Sequence, residues 1–276
     1  MTAFAAATRA EFAKILSTRM WWVLLIVLVA YVGLLAAGIA FGLGALGSSG
    51  GDEGPPGTVA GLPLALVAPV VFALATSVGY PLPALLGSLS VTGEFRHKTL
   101  TPTFLATPRR GRVLAAKWVV LLVLGALFGA AALAATVGLG AAGLSTFGLD
   151  PQLGESGTWA LVGRAVLAMA LWGLVGVGLG VLVPSQVGSI VIILAFTQFV
   201  EPILRTAAGF VDWAGEVGKF LPGAASDALV GASIYTAISA GGASQLEWWQ
   251  GGLVLLGYAV LFTGIGALTT WRRDVT

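Results

Sequence analysis

The chain has 276 residues, of which 57% are hydrophobic and only 9% are charged, with 14 Lys and Arg against 12 Asp and Glu. A soluble domain carries about a quarter charged residues, so this composition excludes an ordinary soluble domain and makes the position of each charge informative. With no cysteine and one histidine, disulfide frameworks, thiolate chemistry and metal clusters built from His and Cys are excluded as well.

The opening segment MTAFAAATRAEFAKILSTR reads as an amphipathic helix over residues 1–19. Phe4, Phe12, Ile15 and Leu16 share one arc, with Lys14 and Ser17 opposite. Such a helix suits a membrane interface; a frayed N-terminal arm is the alternative. The apolar run that follows lacks a short h-region with a small-residue cleavage site, so it reads as a retained signal-anchor.

Residues 20–276 read as a single transmembrane domain. Uncharged stretches long enough to cross a bilayer core place spans at about 20–46, 62–91, 118–139 and 251–270. Pro69, Pro81 and Pro83 predict a kink in the second. Ala165–Val200 is uncharged throughout and as one helix would be about 54 Å long, far beyond a bilayer core. Pro184 in VPSQVG interrupts it, giving two spans at 159–183 and 187–204 joined by a tight turn. The expected fold is therefore all-α and polytopic, with six transmembrane helices.

Residues 201–247 are too polar to span and too apolar for a free loop, which predicts short re-entrant helices between the fifth and sixth spans. Glu201 and Arg205, four residues apart, are placed to pair on one helix face, as a local structural contact or as an outer gate. Gly125-x-x-x-Gly129 and Gly176-x-x-x-Gly180 read as helix-packing positions.

Sidedness follows from the basic residues. With both termini in the cytoplasm, eleven of the 14 Lys and Arg lie inside, leaving Arg164, Arg205 and Lys219 outside or in a span. Trp21, Trp22, Trp118 and Trp271 mark the inner interface, and Trp159, Trp248 and Trp249 the outer one. The expected location is the cell (cytoplasmic) membrane.

Catalytic machinery is missing from the sequence. No G-x-x-x-x-G-K-[ST] occurs, and GEVGKF at Gly215–Phe220 has neither the spacing nor the hydroxyl residue that would hold magnesium. His97 reads as a solvated histidine. Ser77, Ser88 and Ser189 have no nearby His in sequence, and no paired carboxylates occupy the centres of the spans, so proton-relay or intramembrane hydrolysis chemistry has little support.

The exception to this blandness is GEFRHKTLTPTFLATPRRGRVLAAK, Gly93–Lys117, which holds six of the 14 basic residues. Thr101 caps a predicted helix whose first position is Pro102, and Pro108 ends it. The result is a stub over 101–107 presenting Phe104 and Leu105, bracketed by Glu94, Arg96 and Lys98 on one side and Arg109, Arg110 and Arg112 on the other. One reading is a knob that docks into a groove on a cytoplasmic partner; the other is a loop explained by positive-inside charge alone, with Phe104 resting on lipid.

This segment resembles the loop between the second and third spans of ABC exporter permeases of the second type. Glu94, Thr99, Pro108, Arg110 and Lys117 fill that family's Glu, Thr, Pro, Arg and Lys places. EFAKILSTRMWW is similar to the family's lead into its first span, and FLPGAASDAL, Phe220–Leu229, to the segment before its last. The resemblance implies a permease subunit with no catalytic residues, metal or cofactor of its own. ATP and Mg would be bound by a separate ABC-type ATPase subunit that engages Glu94, Arg96, Thr99, Thr101, Pro102, Phe104, Leu105, Pro108 and Arg110. Pro184, Ser185 and Gln186 would form a second, smaller cytoplasmic contact. A second copy of the chain or a related permease would complete the transporter, within membrane lipid and without nucleic acid. The competing expectations are an ATP-independent membrane immunity or sensing protein and, with less support, an intramembrane enzyme.

Overall fold

The computed structural model describes residues 3–48, 57–208, 212–238 and 246–271. Arg272, Arg273 and Asp274, which enter the count of charges by side, lie outside the described residues. The chain forms thirteen α-helices among the described residues and one small hairpin. Six helical stretches are long and apolar enough to cross a membrane, as expected for a multi-pass membrane protein.

Helix α1 (Ala3–Leu16) precedes α2 (Met20–Ser48), the first span. Helix α1 buries Glu11 and Ile15 and leaves Phe4 and Leu16 of its apolar arc exposed. It packs against α6, and ion pairing of Glu11 with Lys117 and of Lys14 with Glu94 turns its polar side inward. A two-stranded hairpin, β1 (Thr58–Val59) and β2 (Leu62–Pro63), follows, its turn made by Ala60 and Gly61 at positive φ.

The second span is broken into α3 (Leu64–Ser77) and α4 (Pro81–Arg96), with Pro69 inside α3 and Pro81 at the first position of α4. The break falls where the prolines predict it, because Pro81 and Pro83 have no N–H to donate back across Val78–Tyr80. A seven-residue helix, α5 (Leu100–Ala106), lies before α6 (Arg110–Thr146). At 37 residues α6 is about 55 Å long, extending well past the expected 118–139 because the basic Arg110–Lys117 stretch continues the helix without a breaker.

Helix α7 (Ser156–Leu182) is the centre of the fold. Of its most apolar window 83% is buried, against 22% for the last span, and it packs against α4, α6 and α13. Small residues permit this. A Cβ on Gly176 would stand 2.0 Å from the Ala84 carbonyl oxygen, and one on Gly125 would stand 2.8 Å from the Ala170 Cα. Lipid tails leave helices no hydrophobic drive to associate, so close backbone contact has to supply the attraction.

The fifth span runs through α8 (Gln186–Ala195), a π-helical turn (Phe196–Val200) and α9 (Glu201–Ala208). Ser185 caps α8 by accepting from the Gly188 N–H at 3.2 Å, after the break that Pro184 imposes. Three short helices follow, α10 (Asp212–Gly218), α11 (Pro222–Val230) and α12 (Ile234–Ile238). The sixth span is α13 (Trp248–Thr269), opened by a capping box of Glu247 and Gln250. Helix α11 folds back onto the bundle. It packs on α3, α7 and α13, and the indole N–H of Trp172, midway along α7, donates to Ser226 Oγ at 3.1 Å.

Candidate functional site: a charged knot beneath the loop helix

Four ionisable groups from three helices meet where α5 joins the bundle. Glu11 and Lys14 come from α1, one turn apart and so on one face. Glu94 comes from the last turn of α4, and Lys117 from the N-terminal part of α6. Lys117 Nζ lies 2.6 Å from Glu11 Oε2 and 3.1 Å from Glu94 Oε1, and it also donates to the Ser90 carbonyl at 3.3 Å. Lys14 Nζ lies 2.6 Å from Glu11 Oε1 and 2.7 Å from Glu94 Oε1. Each ammonium thus bridges both carboxylates, and the two positive and two negative charges balance.

Three of the four groups are buried, with Lys117 1% exposed. Desolvating an ion costs several kcal/mol, which is recovered only with close opposite charges and further hydrogen bonds. The ring supplies those contacts for Lys117. At half-buried Lys14, burial works against the ammonium, but Glu94 and Glu11 more than offset it, so its pKa is raised.

The knot holds α5 directly. Lys14 Nζ donates at 3.1 Å to Thr103 Oγ1, whose hydroxyl in turn donates to the Thr99 carbonyl at 2.9 Å. At its start, α5 buries Leu100 completely. The helix begins one residue before the expected Thr101 cap and Pro102 start: Thr99 holds the N-cap position, without a side-chain cap. Thr101 and Pro102 are exposed in the first turn. Thr107 closes the helix ahead of Pro108.

Phe104 is not the exposed tip that the sequence suggests. Its ring meets Trp271 edge-on at 5.3 Å, and the Arg110 guanidinium lies 4.9 Å from its centroid. Arg110 also donates to the Trp271 carbonyl at 3.0 Å, so the C-terminal end of the sixth span clamps the loop helix. The exposed apolar side chain is Leu105, at 79%. Phe104 turns inward because an aromatic partner and a cation lie behind it.

The structure brings the two expected partner contacts together. Arg96, exposed at the end of α4, donates to Gln186 Oε1 at 3.1 Å, and Pro184 and Ser185 are exposed beside it. Ser88 donates to Ser189 Oγ at 2.8 Å, and Ser189 to the Gln186 carbonyl at 3.2 Å. These hydroxyls tie span two to span five.

The other expected pair, Glu201 with Arg205, does not form. Both side chains reach across to α11. Arg205 pairs with Asp227 at 2.5 Å and lies 3.9 Å from the Tyr235 ring centroid. Glu201 Oε1 accepts the Ala224 N–H at 3.1 Å. The pull of α11 wins because its N-terminal amides and Asp227 are preplaced, whereas an intrahelical pair satisfies neither.

Among the described residues, no group of three or more His, Asp or Glu is arranged to hold a metal ion. His97 is exposed. The resemblance singles out Glu94 and Lys117, and the Glu and Lys of EFAKILSTRMWW (Glu11 and Lys14), but not the closed four-charge ring, whose members are up to 106 residues apart. That these four charges meet is not encoded locally, since each lies near the end of a different span or in α1 of a chain that is only 9% charged. No protein-family model and no curated protein matches this chain.

Proposed function

We propose that the chain is the membrane-spanning permease subunit of an ATP-driven exporter of the ABC type, with ATP and Mg bound by a separate ATPase subunit docked on α5. The observation that carries this reading is the mounting of α5. A loop that merely connected two spans would need no helix. This one is rooted by buried Leu100, clamped by Trp271 and Arg110, and tied through Thr103 to a buried ring of charges. A displacement at α5 is therefore delivered to α1, α4, α6 and α13 together.

In this reading, Leu105, Thr101 and Pro102 face the ATPase, and Arg96 with Pro184–Gln186 forms a second contact. The exposed basic residues Arg96, Lys98 and Arg109 favour an acidic rim on the partner. Closure of the ATPase on ATP pushes α5, the charged knot passes the push to α4 and α6, and α7 packed between them alternates access across the bilayer. The assembly contains two permease chains, in the cytoplasmic membrane, with both termini and α5 on the cytoplasmic side.

The test is purification of the tagged chain from native membranes followed by transport in proteoliposomes. A soluble ATPase recovered in equal amount, with export requiring ATP and lost on Leu105→Glu, is the expected result. Full transport by the chain alone without nucleotide contradicts the proposal.

A further inference from the structure

Glu201 is 1% exposed, and its Oε2 has no hydrogen-bond partner, although an unpaired buried carboxylate oxygen is costly. The other oxygen accepts the Ala224 N–H at 3.1 Å, at the start of α11, with the Gly223 amide beside it. The carboxylate fits there only because residue 223 is glycine: a Cβ at that position would stand 2.4 Å from Oε1 and 2.9 Å from Oε2. One turn further along α9, Arg205 is committed to Asp227 on α11.

Glu201 and Arg205 are nonetheless four residues apart on one α-helix, Glu first, which is the favourable order for an intrahelical ion pair. Arg205 therefore has two possible carboxylate partners, one on α11 and one on its own helix. Asp227 holds it while α11 is docked. If α11 moves away, Arg205 turns to Glu201, and the unpaired oxygen gains its cation.

We propose that Arg205 is a two-position switch for this helix: paired with Asp227 it locks α11 into the bundle, and paired with Glu201 it stabilises the state in which α11 has been released. A π-helical turn at Phe196–Val200 directly precedes Glu201, and such turns are frequent at functional sites. Docked α11 closes against α7 and α13, so the switch sets whether this end of the bundle is sealed. The inference concerns the end away from α5 and does not depend on an ATP-driven partner.

The two carboxylates then have opposite effects, which distinguishes a switch from a pair of simple anchors. Asp227→Asn removes the docked partner and favours release. Glu201→Gln keeps an oxygen for the Ala224 N–H, removes the buried acid from the docked state and removes the cation's partner from the released state, so it favours docking. Gly223→Ala expels Glu201 from its cradle with every charge retained and favours release.

The natural absence of cysteine makes the measurement direct. Ser226→Cys places a thiol at a position that is 1% exposed on α11, and its labelling rate by a water-soluble maleimide reports undocking in purified chain held in lipid nanodiscs. We expect Asp227→Asn and Gly223→Ala to label about tenfold faster or more. Glu201→Gln should label no faster than the parent, and adding it to either fast variant should slow labelling again. Monodispersity and thermal melting identify any variant that fails to fold, and Gly223→Ala with and without Glu201→Gln is sufficient if Asp227→Asn does. Faster labelling in Glu201→Gln, or no slowing when it is added to Gly223→Ala, overturns the switch.

Discussion

The ammonium of Lys117 on α6, buried within the bundle, lies 2.6 Å from the Glu11 carboxylate of α1, 106 residues earlier in the chain. A lysine near the end of a span ordinarily extends its charge toward water. Lys117 does the reverse, because α1 and α4 bring it two carboxylates.

Lys117→Met therefore leaves Glu11 and Glu94 with only half-exposed Lys14 between them. Breaking a buried pair from one side costs about 3–5 kcal/mol, so the melting temperature of the purified chain should fall sharply. The triple variant Glu11→Gln, Glu94→Gln, Lys117→Met should lose less than the three single losses combined. Additive losses would mean that the ring does not act as a unit.

Lys14 gives a test by pH. Its pKa is raised in the folded chain, with the Glu94 and Glu11 carboxylates outweighing burial. A raised pKa contributes stability that is fully present below the ordinary lysine value and disappears as pH rises through the folded value. Thermal melting of the parent and Lys14→Met should differ by a constant amount from neutral to mildly alkaline pH. The curves should converge only under strongly alkaline conditions; convergence near neutrality would contradict the assignment.

Helix spacing gives a third prediction. Gly176→Ala forces a methyl onto the Ala84 backbone, which cannot yield as a side-chain tip does, whereas a Cβ at Gly138 meets nothing within 4 Å. Melting should show a loss of about 1–3 kcal/mol or more for Gly176→Ala. Gly138→Ala should be neutral or stabilising, by up to about 1 kcal/mol from helix propensity.

Phe104 and Leu105 are adjacent in sequence but should separate in effect. Phe104→Ala removes the edge-on contact with Trp271 and the seat of Arg110, so it should lower both melting temperature and partner recovery. Leu105→Ala removes an exposed side chain, so melting should stay within about 0.5 kcal/mol of the parent while recovery of the ATPase falls. Equal effects on melting would remove the distinction between mounting and docking.

The spans were legible because length and hydropathy alone determine them, and the breaks at Tyr80–Pro81 and Val183–Ser185 because proline cannot continue a hydrogen-bond ladder. The glycine spacings were legible as packing positions, although not which helix each one meets. The direction of Phe104 was not legible, since Trp271, the ring that turns it inward, lies at the far end of the chain. The partners of α1 are hidden from the sequence for a related reason. An apolar arc is a local signal, whereas Lys14 and Glu11 face inward to meet Glu94 and Lys117, which only the fold brings near. Glu201 and Arg205 share one helix, as their spacing predicts, but periodicity within a helix cannot reveal that α11 offers each of them a different partner.

The most direct test of the account uses a Leu105→Cys variant of this cysteine-free chain, carrying a thiol-linked photocrosslinker and irradiated in native membranes. The account predicts one major adduct, to a soluble P-loop ATPase, formed in proportion to that subunit and altered in yield by ATP. Adducts only to lipid, or none beyond reaction with water, would contradict it.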